Sequence, residues 1–134
     1  MNLAQHVTEL AQRLALEIKT RITADHPGVA KAWVCFGVSG SGEQASVLVR
    51  AGFNVQSVTR TSTGRFRVTF ILPMRDANYC WQAFARNAGQ QKTMKYAAAR
   101  VLAESKTADF VEVICATASG TLSDTTETNL TVWR

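Results

Sequence analysis

The chain has 134 residues, 46% of them hydrophobic and 19% charged, which suits one globular domain that buries a core and carries a short appendage. Its formal charge of +5 comes from basic residues scattered from Arg13 to Arg134, so the charge favours solubility over specific nucleic-acid binding. No apolar stretch approaches the roughly 20 residues of a membrane span, and the N-terminus lacks the order of a signal peptide; we expect a chain that folds in the cytoplasm without membrane insertion.

Residues 2 to about 24 have the period of an amphipathic helix. Apolar side chains recur every three or four residues with polar ones between them, at Leu3, Val7, Leu10, Ala11, Leu14, Ile18 and Ile22. Several of these positions are 11 residues apart, so the apolar stripe drifts little around a straight helix. A lone helix of this length is only marginally stable in water, so something must cover the stripe.

A hinge follows at residues 25–28, where Pro27 disfavours helix at the residue before it and Gly28 permits a sharp turn. We therefore divide the chain into a helix and hinge, residues 1–27, and a second domain, residues 28–134. Two arrangements would cover the stripe: the helix folds back on its own domain, or identical helices pack around an axis. The narrow stripe and the separating hinge favour self-association, through Leu3, Val7, Leu10, Leu14, Ile18 and Ile22.

Beyond Lys31 the period changes to two, which is typical of strands. Turn-forming clusters separate about seven strand-like runs, namely KAWVCFGV, ASVLVRAGFNV, RFRVTFIL, NYCWQAFAR, TMKYAAARVLA, DFVEVICATA and TNLTVWR. Residues 94–104 have the propensity for two helical turns, but their all-β surroundings favour a strand. The sequence thus predicts a mainly β fold, an antiparallel β-sandwich or jelly-roll-like domain behind one α-helix. Its expected core includes Val34, Phe36, Phe66, Val68, Phe70 and Leu72.

Catalytic chemistry has few candidate residues here. His6 and His26 are the two histidines, and both lie in the helix and hinge, far in sequence from any cysteine. An odd number of cysteines inside apolar runs predicts buried free thiols rather than disulfides, a zinc site or a Cys-His pair, at Cys35, Cys80 and Cys115. No spacing selects an acid–base pair among the carboxylates, which we expect on the surface, at Asp76, Asp109, Glu112, Asp124 and Glu127. We expect no enzymatic activity, no cofactor and no metal.

Two groups of side chains are candidates for recognition. Arg60, Arg65 and Arg67 form the densest basic group, and their alternation with apolar residues favours a solvated strand face over phosphate binding. Tyr79 and Trp81 share a face if the segment YCW is extended, which would suit binding of a sugar or a protein. The alternative is that these rings, with Trp33 and Trp133, fill the core or a contact between protomers.

The order of motifs from residue 31 to residue 134 resembles a domain of tailed-phage structural proteins. The resemblance is carried by KAWVCF, AGFNVQSVTR, TSTGRF, RVTFILPM and the segment from Met74 to Tyr79, and the chain closes with SGTLSDTTETNLTVWR. The segment VTELAQRLALEIKTRI is similar to the leading helix of many small phage fibre proteins. Arg75 stands where the family often has Pro, and Cys35 where it often has Asn, so no receptor contact is transferred to these positions.

The resemblance implies a virion appendage of the tail fibre, tail tip or head fibre type, assembled in the host cytoplasm and trimeric. Its expected partners are other copies of itself and other virion proteins of tail, neck or capsid, with a host-surface glycan or protein as receptor. The alternative is a capsid decoration or cement protein that braces the head without a receptor. A third hypothesis, a soluble carbohydrate-binding module, requires Tyr79 and Trp81 to be exposed.

Overall fold

The computed structural model describes residues 1–87, 95–99 and 103–134 of the chain. These residues form one α-helix, α1 (Leu3–Arg21), and eight strands. The strands are β1 (Ala30–Ser39), β2 (Ser46–Phe53), β3 (Val55–Ser62), β4 (Arg65–Phe70), β5 (Cys80–Arg86), β6 (Lys95–Ala99), β7 (Phe110–Thr117) and β8 (Glu127–Trp133). Short 3-10 helices lie at Gly42–Gln44 and Ala103–Ser105. Within the described residues, no helix combines the length and the hydropathy needed to span a bilayer.

The start of α1 is fixed by its own sequence. The Asn2 side chain accepts a hydrogen bond from the Gln5 N–H, and the Gln5 side chain accepts one from the Asn2 N–H. This reciprocal capping box satisfies two donors that a helix otherwise leaves without partners. The last helical bond runs from Ile22 N to Ile18 O at 2.9 Å, and Pro27 lies a few residues beyond it.

The strands form two four-stranded antiparallel sheets packed face to face. The first sheet has the order β2-β1-β8-β5 and the second the order β3-β4-β7-β6. The first and last strands of the domain, β1 and β8, pair in the middle of the first sheet. This architecture confirms the prediction of an antiparallel β-sandwich behind one N-terminal helix.

The core lies between the sheets. Phe36 of β1 meets Phe66 of β4 with ring centroids 5.2 Å apart in an edge-to-face arrangement, which suits the charge distribution of aromatic rings. Inward residues of the four central strands surround this pair with almost no exposed surface. They are Val34, Val68, Val111, Val113, Leu130 and Val132, and Phe70 at the end of β4 is also buried.

The prediction of Leu72 in the core is wrong, because its side chain is 70% exposed. Strand β4 ends at Phe70, whose N–H donates to Asp109 O, so the alternation that pointed Leu72 inward stops two residues earlier. The Asn54 side chain then binds both the N–H and the carbonyl of Leu72. Held at both backbone groups, Leu72 lies in a surface loop beside the hinge.

Two strand boundaries also differ from the prediction. Residues 45–55 were expected as one strand, but the chain turns at Asn54, which has a φ of 55°, and crosses from β2 in the first sheet to β3 in the second. Strand β3 (Val55–Ser62) was therefore not anticipated. Of the predicted strand at 94–104, Lys95–Ala99 form β6 and Ala103–Ser105 a 3-10 turn, whereas residues 94 and 100–102 lie outside the described residues.

Candidate functional site

The apolar stripe of α1 is uncovered. No residue of the helix is buried, and the six residues expected to form a self-association interface are each more than half exposed: Leu3, Val7, Leu10, Leu14, Ile18 and Ile22. The alternative in which the helix folds back on its own sandwich is therefore not the observed arrangement. A contiguous exposed apolar surface of this kind marks a site that another molecule covers.

The total accessible surface of the chain also indicates that another molecule covers part of it. It is 8936 Å², whereas a compact monomer of 14.6 kDa is expected to expose about 6,900 Å² from the scaling of surface with mass. The excess of about 2,000 Å² exceeds the roughly 800 Å² that each partner contributes to a standard stable interface. The chain therefore has enough spare surface for an extensive contact.

The segment that follows the helix is tied to the sandwich by Lys31 of β1. Its Nζ donates to the carbonyl oxygens of Ala24 and His26, so two acceptors of this segment are satisfied by the sandwich. The ring Nδ1 of His26 accepts a hydrogen bond from the Gly28 N–H at 3.0 Å. These bonds fix the path of the hinge at the base of the first sheet.

An apolar groove of about 800 Å³ opens at this junction. The hinge residues Ala24 and Asp25 line one part of it, and the exposed side chains of Phe53, Ile71 and Leu72 line another. Its geometry depends on the Asn54 side chain, whose Nδ2 donates to Lys31 O at 3.0 Å and to Leu72 O at 3.1 Å, while its Oδ1 accepts from Leu72 N at 2.7 Å. Sequence reasoning missed the groove because it placed Leu72 inside.

Tyr79 does not form a recognition surface, because its side chain is only 2% exposed. Its hydroxyl donates to Thr107 O at 2.8 Å and to Phe110 O at 3.0 Å, and its ring packs edge-to-face on Phe70. Burial raises the pKa of the Tyr79 hydroxyl well above its usual range, so the group is a neutral donor. Tyr79 therefore ties the loop before β5 to the start of β7.

Replacing Tyr79 with Phe is expected to lower the free energy of unfolding by about 1–2 kcal/mol, because the carbonyl of Thr107 is left without its donor. Urea unfolding followed by circular dichroism measures the change. Tyr96→Phe removes a hydroxyl from a tyrosine that is 48% exposed, and as the matched control it should cost less than Tyr79→Phe, because water reaches the groups around it. Equal losses in both variants would contradict the structural role given to the Tyr79 hydroxyl.

Trp81 is half-buried and packs against the core from β5, which favours the alternative that this ring fills the sandwich over a role in surface recognition. Tyr79 and Trp81 do share a side of the chain, but it is the side that faces the second sheet. The outward residues of β5 are the alternate ones, and among them Phe84 is 70% exposed. The alternation of side chains along CWQAFAR could have indicated this. Phe84 is three residues from Trp81, so the two side chains must point to opposite faces of the strand.

Exposed aromatic rings instead lie on the outer face of the first sheet. Trp33 of β1 is 40% exposed and pairs in register with Phe53 of β2 and Thr131 of β8. Phe84 lies opposite Asn129 in the pairing of β5 with β8. Apolar rings, uncharged polar side chains and the Arg86–Glu127 ion pair thus share this face. Among the described residues of the first sheet, Trp33, Phe53 and Phe84 are therefore the exposed aromatic side chains, and Tyr79 is not one of them.

The densest basic group is largely neutralised. Arg60 binds Asp124 through three hydrogen bonds of 2.9–3.1 Å, and Arg67 binds Glu112 at 2.8 Å while its guanidinium stacks on the Phe110 ring. Paired guanidiniums have little capacity left for phosphate. This favours the structural interpretation of the basic group over the phosphate-binding one.

Two carboxylates expected on the surface are largely withdrawn from it. Glu112 is only 4% exposed, since Arg67 lies over it on the outer face of the second sheet. Asp124 accepts hydrogen bonds from Arg60 and from the Gly64 N–H at 2.8 Å. The prediction of ordinary surface carboxylates is wrong for both residues. The sequence pattern could not show their pairing, because the partner of Glu112 lies 45 positions away and those of Asp124 lie 60 or more away.

The thiols occupy three different environments. Cys115 is buried, Cys35 is partly buried and Cys80 is exposed. The prediction of buried thiols is therefore wrong for Cys80, which faces outward at the start of the edge strand β5. Burial raises the pKa of the Cys115 thiol despite hydrogen bonds from Thr128 and Thr125 that act in the opposite direction.

In the part of the chain that the structure describes, no cluster of His, Cys, Asp or Glu is placed to hold a metal ion.

The motif residues that carry the phage resemblance lie in the scaffold. Asn54 of the FNV motif holds the loop after β4. Gly64 of the TG turn has a φ of 66°, and a Cβ there would meet Cys115 O at 2.5 Å, so this position requires glycine. Asp76 accepts from the Asn78 N–H at 2.6 Å in a local turn and pairs with Arg134. The motifs therefore bear on the domain type and not on a ligand site.

Comparison with known proteins adds no relative. No protein-family model, no curated protein and no solved structure matches this chain.

Proposed function

We propose that this chain is a structural protein of a phage virion, a short trimeric appendage whose N-terminal helices bundle and dock on the particle while the β-sandwiches point outward. The observation that carries the proposal is the uncovered stripe of α1, none of whose residues is buried by the described part of the chain. A helix of 19 residues with such a stripe gains stability when copies of it pack together. The motif order from residue 31 onward supports the phage assignment.

Host attachment follows from the arrangement of several domains on one stalk. Copies of one β-domain, held together and repeated around a particle, multiply weak individual contacts without any deep pocket. The outer face of the first sheet, with Trp33 and Phe84 exposed, offers a shallow surface with apolar rings for such contacts. A receptor on the host surface, either a glycan or a protein, is the partner we assign to the outward domain.

The test is the location of the chain on purified particles of the parent phage. Immunogold labelling with antibody against residues 31–134 is expected to decorate the particle, and mass spectrometry of the same particles is expected to detect the chain in fixed stoichiometry. Label at the tail end supports a role in host recognition. Label over the head, with particles that lose heat stability but not host binding when the gene is deleted, supports the cement protein instead. Particles that lack the chain contradict both.

A further inference from the structure

We propose that the groove at the helix–sandwich junction is a second contact between copies of this chain, and that it receives the C-terminal end of the neighbouring copy's α1 with the start of its hinge. This inference rests on the proposed self-association of α1. It adds that each β-sandwich also contacts the neighbouring helix, so that the outward domains are held at a fixed angle to the stalk.

The first argument is that the groove begins where the stripe ends. Ile22 is the last stripe residue, and Ala24 and Asp25 already line the groove. In a parallel bundle the same residue of every copy lies at the same height along the axis, and neighbouring helix axes are about 8–10 Å apart. The part of a neighbour closest to the groove is therefore the segment around its own Ile22 to Ala24.

The second argument is the apolar character of the groove. Phe53, Ile71 and Leu72 are 55%, 61% and 70% exposed, and a helix-only contact between copies leaves all three in water. Removing the exposed part of each side chain from water stabilises the assembly that covers it. The surface excess of about 2,000 Å² per chain is large enough to include both the stripe and the groove.

The third argument is charge. Asp25 lines the groove from the hinge and Arg75 lines it from the loop after β4. Neither side chain forms an ion pair with another residue in the described ranges. A neighbouring hinge that enters the groove brings its own Asp25 towards this Arg75, where the two side chains form an ion pair between copies. The charge complementarity is limited to this pair, since the last turn of the neighbouring helix carries Lys19 and Arg21.

The experiment measures disulfide formation between two different copies. Cys35 and Cys80 are first replaced by Ser, and two full-length variants of that chain are co-expressed, one with Ile22→Cys and the other with Leu72→Cys and a size tag. Oxidised product that joins a tagged and an untagged chain reports contact between copies. In the control, the tagged chain carries Leu48→Cys instead of Leu72→Cys. Leu48 is also more than half exposed, but it lies near the start of β2, whereas the groove residue Phe53 ends that strand.

We expect the Ile22–Leu72 pair to cross-link at least about tenfold faster than the Ile22–Leu48 pair, because a disulfide forms readily only when the two Cα atoms approach within about 7 Å. Equal rates in an assembly that light scattering shows to be oligomeric overturn the groove contact and leave the proposed appendage intact. A wild-type chain that scatters as a monomer overturns the self-association, and the groove contact with it.

Discussion

Replacing Leu10 and Leu14 together with Asp is expected to convert the proposed oligomer into monomers of about the chain mass of 14.6 kDa. Each leucine is more than half exposed in the isolated chain and contributes about 1.5–3 kcal/mol to an assembly that buries it. The substitution removes this gain in every copy and places like charges in an apolar seam. Size-exclusion chromatography with light scattering measures the mass directly.

Circular dichroism of the same variant is expected to lose most of its helical signal while keeping that of the strands. A separate helix of 19 residues is marginal in water once its partners are gone, whereas the sandwich has its own core. The matched control is Leu16→Asp, because Leu16 is also exposed, at 64%, but lies about 200° around the helix from Leu14. The seam is misplaced if Leu16→Asp dissociates the assembly as well, or if the double variant keeps its mass.

The amphipathic helix, the hinge and the sandwich class were predictable because each depends on local pattern. The stripe has the helical period, Pro27 and Gly28 interrupt it, and the alternation in RFRVTF matches the inward and outward residues of β4. The sandwich buries Val34, Phe36, Phe66, Val68 and Phe70. These features follow from the periods of helix and strand alone.

The predictions that proved wrong concern residues that lie where a strand ends or where two strands meet. Leu72 continues the alternation of β4 in the sequence, but a side chain distant in sequence, Asn54, binds its backbone and ends the strand. Tyr79 precedes β5, and its burial depends on carbonyls of residues 107 and 110. No periodicity encodes such tertiary hydrogen bonds, so the burial of Tyr79 could not be predicted from the sequence.

The uncovered stripe itself was expected, but the groove beside it was not. Its lining comes from five separate parts of the chain, including the hinge, the end of β2 and the loop after β4. Phe53 and Ile71 each look like ordinary strand residues in the sequence, because sequence pattern gives the face of a strand but not the distance between two strand ends. The groove therefore becomes visible only when the chain is folded.

The second large effect is expected for Asp124→Asn, which should lower the free energy of unfolding by about 2–3 kcal/mol at neutral pH. Asp124 accepts bonds from Arg60 and from the Gly64 N–H, and the Arg60 side chain is only 17% exposed. The asparagine keeps the shape but leaves a largely covered guanidinium without its counter-charge, a loss of about 3–5 kcal/mol in a fully buried pair and less here, since part of the pair contacts water.

The pH dependence of this loss distinguishes a charge effect from a packing effect. Burial by itself would raise the pKa of Asp124, but the hydrogen bonds from Arg60 and Gly64 and the charges of Arg60 and Lys95 outweigh it and hold the pKa below its ordinary value. A group with a lowered folded-state pKa stabilises the fold above its unfolded pKa of about 3.9, and the contribution disappears as the pH falls through the folded value. The stabilities of wild type and variant should therefore differ above about pH 5 and converge well below pH 4.

Urea unfolding at a series of pH values measures both curves, in the Leu10→Asp/Leu14→Asp background so that unfolding is not coupled to association. Asp109→Asn is the control, because Asp109 is also a carboxylate of the second sheet region but is exposed, and it should change stability by less than about 0.5 kcal/mol at any pH. A difference between wild type and Asp124→Asn that persists undiminished at pH 3 would contradict the role given to the carboxylate charge. Convergence would establish that a charged pair ties the loop before β8 to the β3–β4 end of the second sheet.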